Sequence, residues 1–152
     1  HILDSAQLVK FIDFNLNSVA DFGTGAGFPG LVVEIFNKNK AFHVKLYEKS
    51  PVKRDFLKNM CDILSLKIEV HGNVYENSID SDYIVSRAFK KLEAIIQVSR
   101  EIAKKPHKLM ILKGQNAHEE VKNSFKNIKY PYKLETSMTN KDSKIILMEI
   151  NK

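Results

Sequence analysis

The chain has 152 residues, enough for one domain with a sizeable core. At 43% hydrophobic residues it is globular rather than disordered, and no apolar run approaches the ~20 residues a bilayer crossing needs. HILDSAQLVK shows no secretory leader pattern, so a cytoplasmic location is expected, and the net charge of +6 favours an acidic partner such as nucleic acid. That last signal is weak. Of 24 basic residues only Arg54, Arg87 and Arg100 are arginine, and a plain lysine-coated surface explains the charge about as well.

Residues 1–17 begin with His1 and read as a short helical segment packed on the first strand. SVADFG (18–23) reads as a buried strand ending in a glycine turn. FPGLVVEIFNK (28–38) is helical, with Pro29 in the first turn and Leu31, Ile35 and Phe36 on one face. FHVKLYE (42–48) alternates as a strand. Residues 50–66 form a helix capped by Ser50, with Phe56, Leu57, Met60, Ile63 and Leu64 as its apolar face. KIEVH (67–71) and YIVSR (83–87) are strands, 90–104 is a helix, and KLMILKG (108–114) is a strand. A helix over 116–127 precedes two strands, 132–137 and 144–150, joined around TNKDS.

Strands alternating with helices imply βαβ units. The expected fold is α/β: a mostly parallel seven-stranded sheet with an antiparallel C-terminal strand and helices on both faces, in one domain spanning 1–152. This is the element order of class I methyltransferases, a Rossmann-like fold.

GTGAGFPG (23–30) fits two nucleotide motifs. From Gly25 it spells G-x-G-x-x-G, the dinucleotide fingerprint. From Asp21 it spells D-x-G-x-G-x-G, a loop typical of S-adenosylmethionine sites. In the first register the strand ends too early, and Pro29 removes an N–H that a pyrophosphate needs. In the second, Gly23, Gly25 and Gly27 let a ligand approach the backbone, with Thr24 between them. Asp21 then puts at the strand end a carboxylate that repels a pyrophosphate and favours an ammonium or sulfonium. Gly30 is left to let the helix approach the sheet. Glu48 ends the second strand, where an acid accepts hydrogen bonds from ribose hydroxyls, in either register. The second register and S-adenosylmethionine are the stronger reading; a dinucleotide site and a purely structural loop are the alternatives.

The fourth strand narrows the acceptor. There is no N/D-P-P-Y/F run for an exocyclic amine, no Pro-Cys nucleophile, and no recognisable Lys-Asp-Lys-Glu set for ribose oxygen. Ser86-Arg87 stands there instead. Guanine N7 carries a lone pair and no proton, so its methylation needs orientation rather than a general base. Arg87 suits that task, as orienter of base or cofactor or as a phosphate contact. A structural salt bridge is its ordinary alternative.

HILDSA (1–6), DFGTGAGFPG (21–30), YIVSRAF (83–89) and ILKG (111–114) resemble the glucose-inhibited division protein B family, the bacterial 16S ribosomal RNA methyltransferase G family. The resemblance implies an S-adenosylmethionine-dependent enzyme that methylates N7 of a guanine (guanine 527) in the 530 loop of small-subunit RNA, with 16S rRNA or the small ribosomal subunit as partner. It implies cofactor contacts at Gly23 and Phe28, the ribose acid at Glu48, the adenine frame at Val74-Tyr75, and Arg87 at the active-site edge. It makes Lys113 a candidate for RNA phosphate. Departures are Val74-Tyr75 where the family has Ala-Glu, Lys53 at an arginine position with Arg54 one residue late, and a shorter N-terminal helical region.

The rival readings are a methyltransferase of a small molecule or protein, and a non-catalytic S-adenosylmethionine-fold binding module. Cys61 reads as a small semi-buried helix residue, and the five histidines lack metal spacing, so no metal is expected. KNSFKNIKYPYK (122–133) mixes lysines with aromatics as RNA-binding segments do, or simply runs from a helix end into a strand. Lys90-Lys91 reads as a solvated face. A monomer is expected.

Overall fold

The computed structural model of the chain describes residues 1–87, 89–124 and 130–151. Seven strands, β1 (Ser18–Phe22), β2 (His43–Tyr47), β3 (Ile68–His71), β4 (Tyr83–Arg87), β5 (His107–Lys113), β6 (Tyr132–Thr136) and β7 (Lys144–Ile150), form one sheet ordered β3-β2-β1-β4-β5-β7-β6. The first five pair in parallel, while β7 runs antiparallel to both β5 and β6. The chain order therefore reverses between β1 and β4, which opens a crevice at the carboxyl ends of those strands.

Alternation along each buried strand builds two cores. Val19, Val85 and Met110 join Leu31, Val33 and Leu57 on one face; Ala20, Ile84 and Leu109 join Ile95, Ile96 and Val121 on the other. Helices α2 (Gly30–Phe36) and α3 (Pro51–Ile63) cover the first face, and α4 (Leu92–Ile102) and α5 (Ala117–Ser124) cover the second. Among the described residues no helix is long and apolar enough to cross a membrane.

Two helix faces differ from expectation. Helix α1 (Ile2–Ala6) and the 3-10 turn Gln7–Phe11 pack on α2, and Leu8 joins Val19 of β1 in one core. The segment's polar side chains reach the β6–β7 hairpin: Gln7 Oε1 accepts from the Met138 N–H at 2.7 Å. On α2, Leu31, Val32 and Val33 are buried, whereas Ile35 and Phe36 are exposed. Burial concentrates in the first turn, where Gly30 brings the helix down on the sheet. On α3 only Leu57 and Cys61 are fully buried, and Phe56, Ile63 and Leu64 are exposed. This helix covers the edge pair β2–β3, and only one i, i+4 row meets the sheet. Ser50 caps α3 as expected, accepting from the Lys53 N–H at 3.4 Å. The expected end of α5 and Phe125 of the lysine–aromatic segment lie outside the described residues.

Candidate active site

The glycine loop turns because its backbone leaves the region open to ordinary residues: φ is +66° at Gly23, +59° at Gly25 and +100° at Gly27. Gly23 and Thr24 donate their N–H groups to the Tyr47 carbonyl, at 3.0 and 3.2 Å, continuing the β1–β2 ladder past its end. Gly25 N–H donates to Glu48 Oε2 at 3.0 Å, and Ser50 N–H donates to Glu48 Oε1 at 3.0 Å. The Glu48 carboxylate is thus clamped between two turns, and each oxygen keeps acceptor capacity for a ribose hydroxyl.

Asp21 takes a different place from the one its charge suggests. It is wholly buried beneath the loop. Its Oδ2 accepts from Thr24 Oγ1 at 2.7 Å and from Gly30 N–H at 2.8 Å, while Oδ1 is buried with no hydrogen-bond partner among the described residues. Burial pushes its carboxyl up to about 7, against the opposing hydrogen bonds from Thr24 and Gly30, and the nearby Glu48 raises it further. Asp21 therefore shapes the loop from below instead of facing the cavity. This arrangement also weakens the dinucleotide register. The Gly30 N–H at the start of α2, which a pyrophosphate would need, is already held by a carboxylate. Gly30 has the packing role expected of it: a Cβ there would stand 2.2 Å from Leu46 Cδ2.

A cavity of about 350 Å³ lies over the loop, lined by Gly23, Tyr47, Glu48, Lys49, Lys53, Asn73, Val74, Tyr75, Phe89 and Lys90. Four expected cofactor residues, Gly23, Glu48, Val74 and Tyr75, thus meet at one place. Asn73 caps the short turn Val74–Glu76, accepting from the Tyr75 N–H at 3.2 Å, so Val74 points inward and Tyr75 outward. Lys90 is exposed, as expected, and also joins the cavity mouth, where it hydrogen-bonds the Tyr75 hydroxyl and lies 4.7 Å over its ring. Phe89, Lys90 and Tyr47 escaped the sequence reading. Phe89 and Lys90 follow the S-R-A strand end and Tyr47 precedes Glu48, so adjacency to recognised positions was the available signal.

Other expected residues fall elsewhere. Phe28 is half-buried, its ring 6.1 Å from that of His1, and it does not line this cavity. Thr24 is buried on Asp21, and a Cβ on Gly27 would meet Leu31 at 2.2 Å, so both hold the loop, and neither lines this cavity. Arg87 and Lys113 line a second cavity, of about 240 Å³, with Asp4, Leu112, Gly114, Ser137, Ser143 and Lys144. Arg87 ends β4 one step beyond the Phe22–Ser86 pair, level with Gly23 in the strand register. Lys113 is already engaged: its Nζ donates to the Lys90 carbonyl at 2.8 Å and pairs with Glu120 Oε1 at 3.1 Å.

These residues suit S-adenosylmethionine. A clamped carboxylate serves the ribose, and Val74-Tyr75 and Phe89, whose ring packs over Gly23, offer apolar surface to an adenine. Fold and cavity together define a class I S-adenosylmethionine-dependent methyltransferase.

Comparison with known proteins agrees. The Aquifex aeolicus S-adenosylmethionine-dependent methyltransferase superposes with TM-score 0.72 at 17% identity, covering 97% of this chain and 89% of that one. The apo form of the S-adenosylmethionine-dependent methyltransferase SibL gives 0.75 at 7% identity over 99% and 55%. The profile of the GidB family, rRNA small subunit methyltransferase G, matches residues 1–147. Ribosomal RNA small subunit methyltransferase G of Pelagibacter ubique is 35% identical over all of this chain and 72% of its own length. That of Orientia tsutsugamushi strain Ikeda is 34% identical over 99% of this chain and 74% of its length. The chain belongs to the rRNA small subunit methyltransferase G family, and its cofactor is S-adenosylmethionine.

Proposed function

We propose that the chain methylates N7 of a guanine in the 530 loop of 16S rRNA, guanine 527, on the small ribosomal subunit, with Arg87 orienting the acceptor. The names of its relatives support an rRNA substrate. The observation that carries the choice of atom is the chemistry of the cavity around Arg87. Among the described residues lining it, the one carboxylate is Asp4, a poor base. Burial raises its carboxyl, but hydrogen bonds from Thr139 and Ser137 and the Arg87 charge outweigh this and hold it below the usual carboxylate range. An acceptor that must lose a proton is badly served here; an N7 lone pair is not.

When bound, S-adenosylmethionine supplies an electrophilic methyl on a sulfonium. Gly23, Glu48, Val74 and Tyr75 hold it, with Asp21, Thr24, Gly25 and Gly27 fixing the loop. The Arg87 guanidinium donates to an acceptor on the base or to a neighbouring phosphate and fixes the in-line approach. Phe89 packs over Gly23 at the edge of the site.

The test is incubation of the protein with radiolabelled S-adenosylmethionine and small subunits lacking the modification, followed by nucleoside analysis. Label in 7-methylguanosine is the expected result. Label in another nucleoside, or in ribosomal protein, contradicts the proposal.

A further inference from the structure

Asp4 is an unexpected residue in the second cavity. Arg87 and Lys144 make that cavity cationic, as a phosphate-bearing substrate requires, yet a carboxylate stands among them. A negative charge there repels the backbone of an RNA and needs a compensating purpose. Its hydrogen bonds are lopsided. Gln7 Nε2 donates to Oδ1 at 3.3 Å, Ser137 Oγ donates to Oδ1 at 3.1 Å, and Thr139 Oγ1 also donates to Oδ1. Three donors saturate one oxygen and fix the group in orientation. No protein hydrogen bond falls on Oδ2 among the described residues, and Arg87 stands close enough to act on the carboxylate's charge.

We propose that Asp4 is the specificity-determining residue for the acceptor base: its Oδ2 accepts from the Watson–Crick edge of a guanine while Arg87 donates to the O6 side. The inference rests on the guanine-N7 reading above. Guanine presents N1–H and the 2-amino group as donors on one edge and O6 and N7 as acceptors on the other. A fixed acceptor and a cation lining one cavity match that pattern. Adenine reverses both points, with an unprotonated N1 facing the carboxylate and a 6-amino donor facing Arg87. The cavity's size suits one base rather than a stacked pair, and the ties from Gln7, Ser137 and Thr139 make the carboxylate rigid enough to discriminate.

The test is Asp4→Asn. The amide keeps an oxygen for the three donors at Oδ1 and so turns an N–H2 donor toward the base. Small subunits are reconstituted on 16S transcripts carrying guanine or adenine at the acceptor position, and transfer is measured with both proteins. The guanine-to-adenine ratio of kcat/KM is expected to fall by about 100-fold in the variant, with S-adenosylhomocysteine affinity unchanged. The ratio does not depend on the fraction of protein folded. An unchanged ratio, or equal losses on both bases, overturns the assignment of Asp4 and leaves the guanine-N7 reading standing. A wild-type protein that leaves guanine unmethylated overturns both.

Discussion

The Phe89 ring lies against the α-carbon of Gly23: a Cβ built on that glycine would fall 2.2 Å from Phe89 Cδ2. The residue after the first strand and the loop after the fourth therefore share one contact at the sheet's switch point. With φ at +66°, Gly23 also holds a backbone conformation that costs an L-residue about 1–2 kcal/mol. Gly23→Ala is expected to push Phe89 out of place and to weaken S-adenosylhomocysteine binding by at least about tenfold. Gly23→Asp, which adds a charge beside Glu48, should abolish binding. Calorimetry on both variants gives the answer, and wild-type affinity in either contradicts the placement of the cofactor.

Arg87 lines the cavity shared with Asp4 and not the one over the glycine loop. Arg87→Ala should lower kcat on small subunits about 100-fold, the scale of a lost orienting contact, with S-adenosylhomocysteine affinity and melting temperature intact. A parallel loss of cofactor affinity would show that Arg87 serves the cofactor as well.

Lys113 tells two accounts apart. A phosphate contact would leave cofactor affinity alone and lower the salt dependence of subunit binding. The structure instead ties its ammonium to the Lys90 carbonyl and to Glu120, whose Oε1 also accepts from the Leu92 N–H at 2.6 Å. Both anchored positions, Lys90 and Leu92, lie just after Phe89. Lys113→Met is expected to weaken S-adenosylhomocysteine binding about five- to tenfold in the absence of RNA, the scale of one charge-assisted hydrogen bond. Unchanged binding with a reduced salt slope would return Lys113 to the RNA.

Asp21 makes stability depend on pH. Its carboxyl is raised from 3.8 to about 7 in the folded chain, so the protonated form is the one that folding favours. Its contribution is fully present below pH 3.8 and is lost as pH rises through about 7. Asp21→Asn leaves an oxygen for Thr24 and Gly30 and carries no charge. The variant should flatten the fall in melting temperature between pH 4.5 and 8. An unchanged profile means that Asp21 is not the titrating group.

Much of this fold is legible in the sequence because strand and helix periods alternate cleanly, and β1 to β5 are each bounded by a turn residue or a helix. Glu48, read from its place at a strand end, and Val74-Tyr75, read from the family resemblance, line the same cavity. The helix faces were read less well. Periodicity gives α3 a row including Phe56, Ile63 and Leu64, but it does not say that the helix sits at a sheet edge with little to bury against. Asp21 was misplaced for a related reason: sequence puts a carboxylate at the strand end, and only the close approach of Gly30 turns it under the loop. Asp4 and Phe89 reach the site through tertiary contacts, Asp4 from a distance of 133 residues to Ser137.

Everything downstream depends on the cavity between Gly23, Glu48 and Tyr75 being the cofactor's. The most direct measurement is calorimetry of the purified chain with S-adenosylhomocysteine, beside NAD as control. Micromolar binding of S-adenosylhomocysteine, lost in Gly23→Asp, with no heat from NAD, is the predicted result. Binding of NAD in its place, or S-adenosylhomocysteine binding that Gly23→Asp leaves untouched, would contradict it.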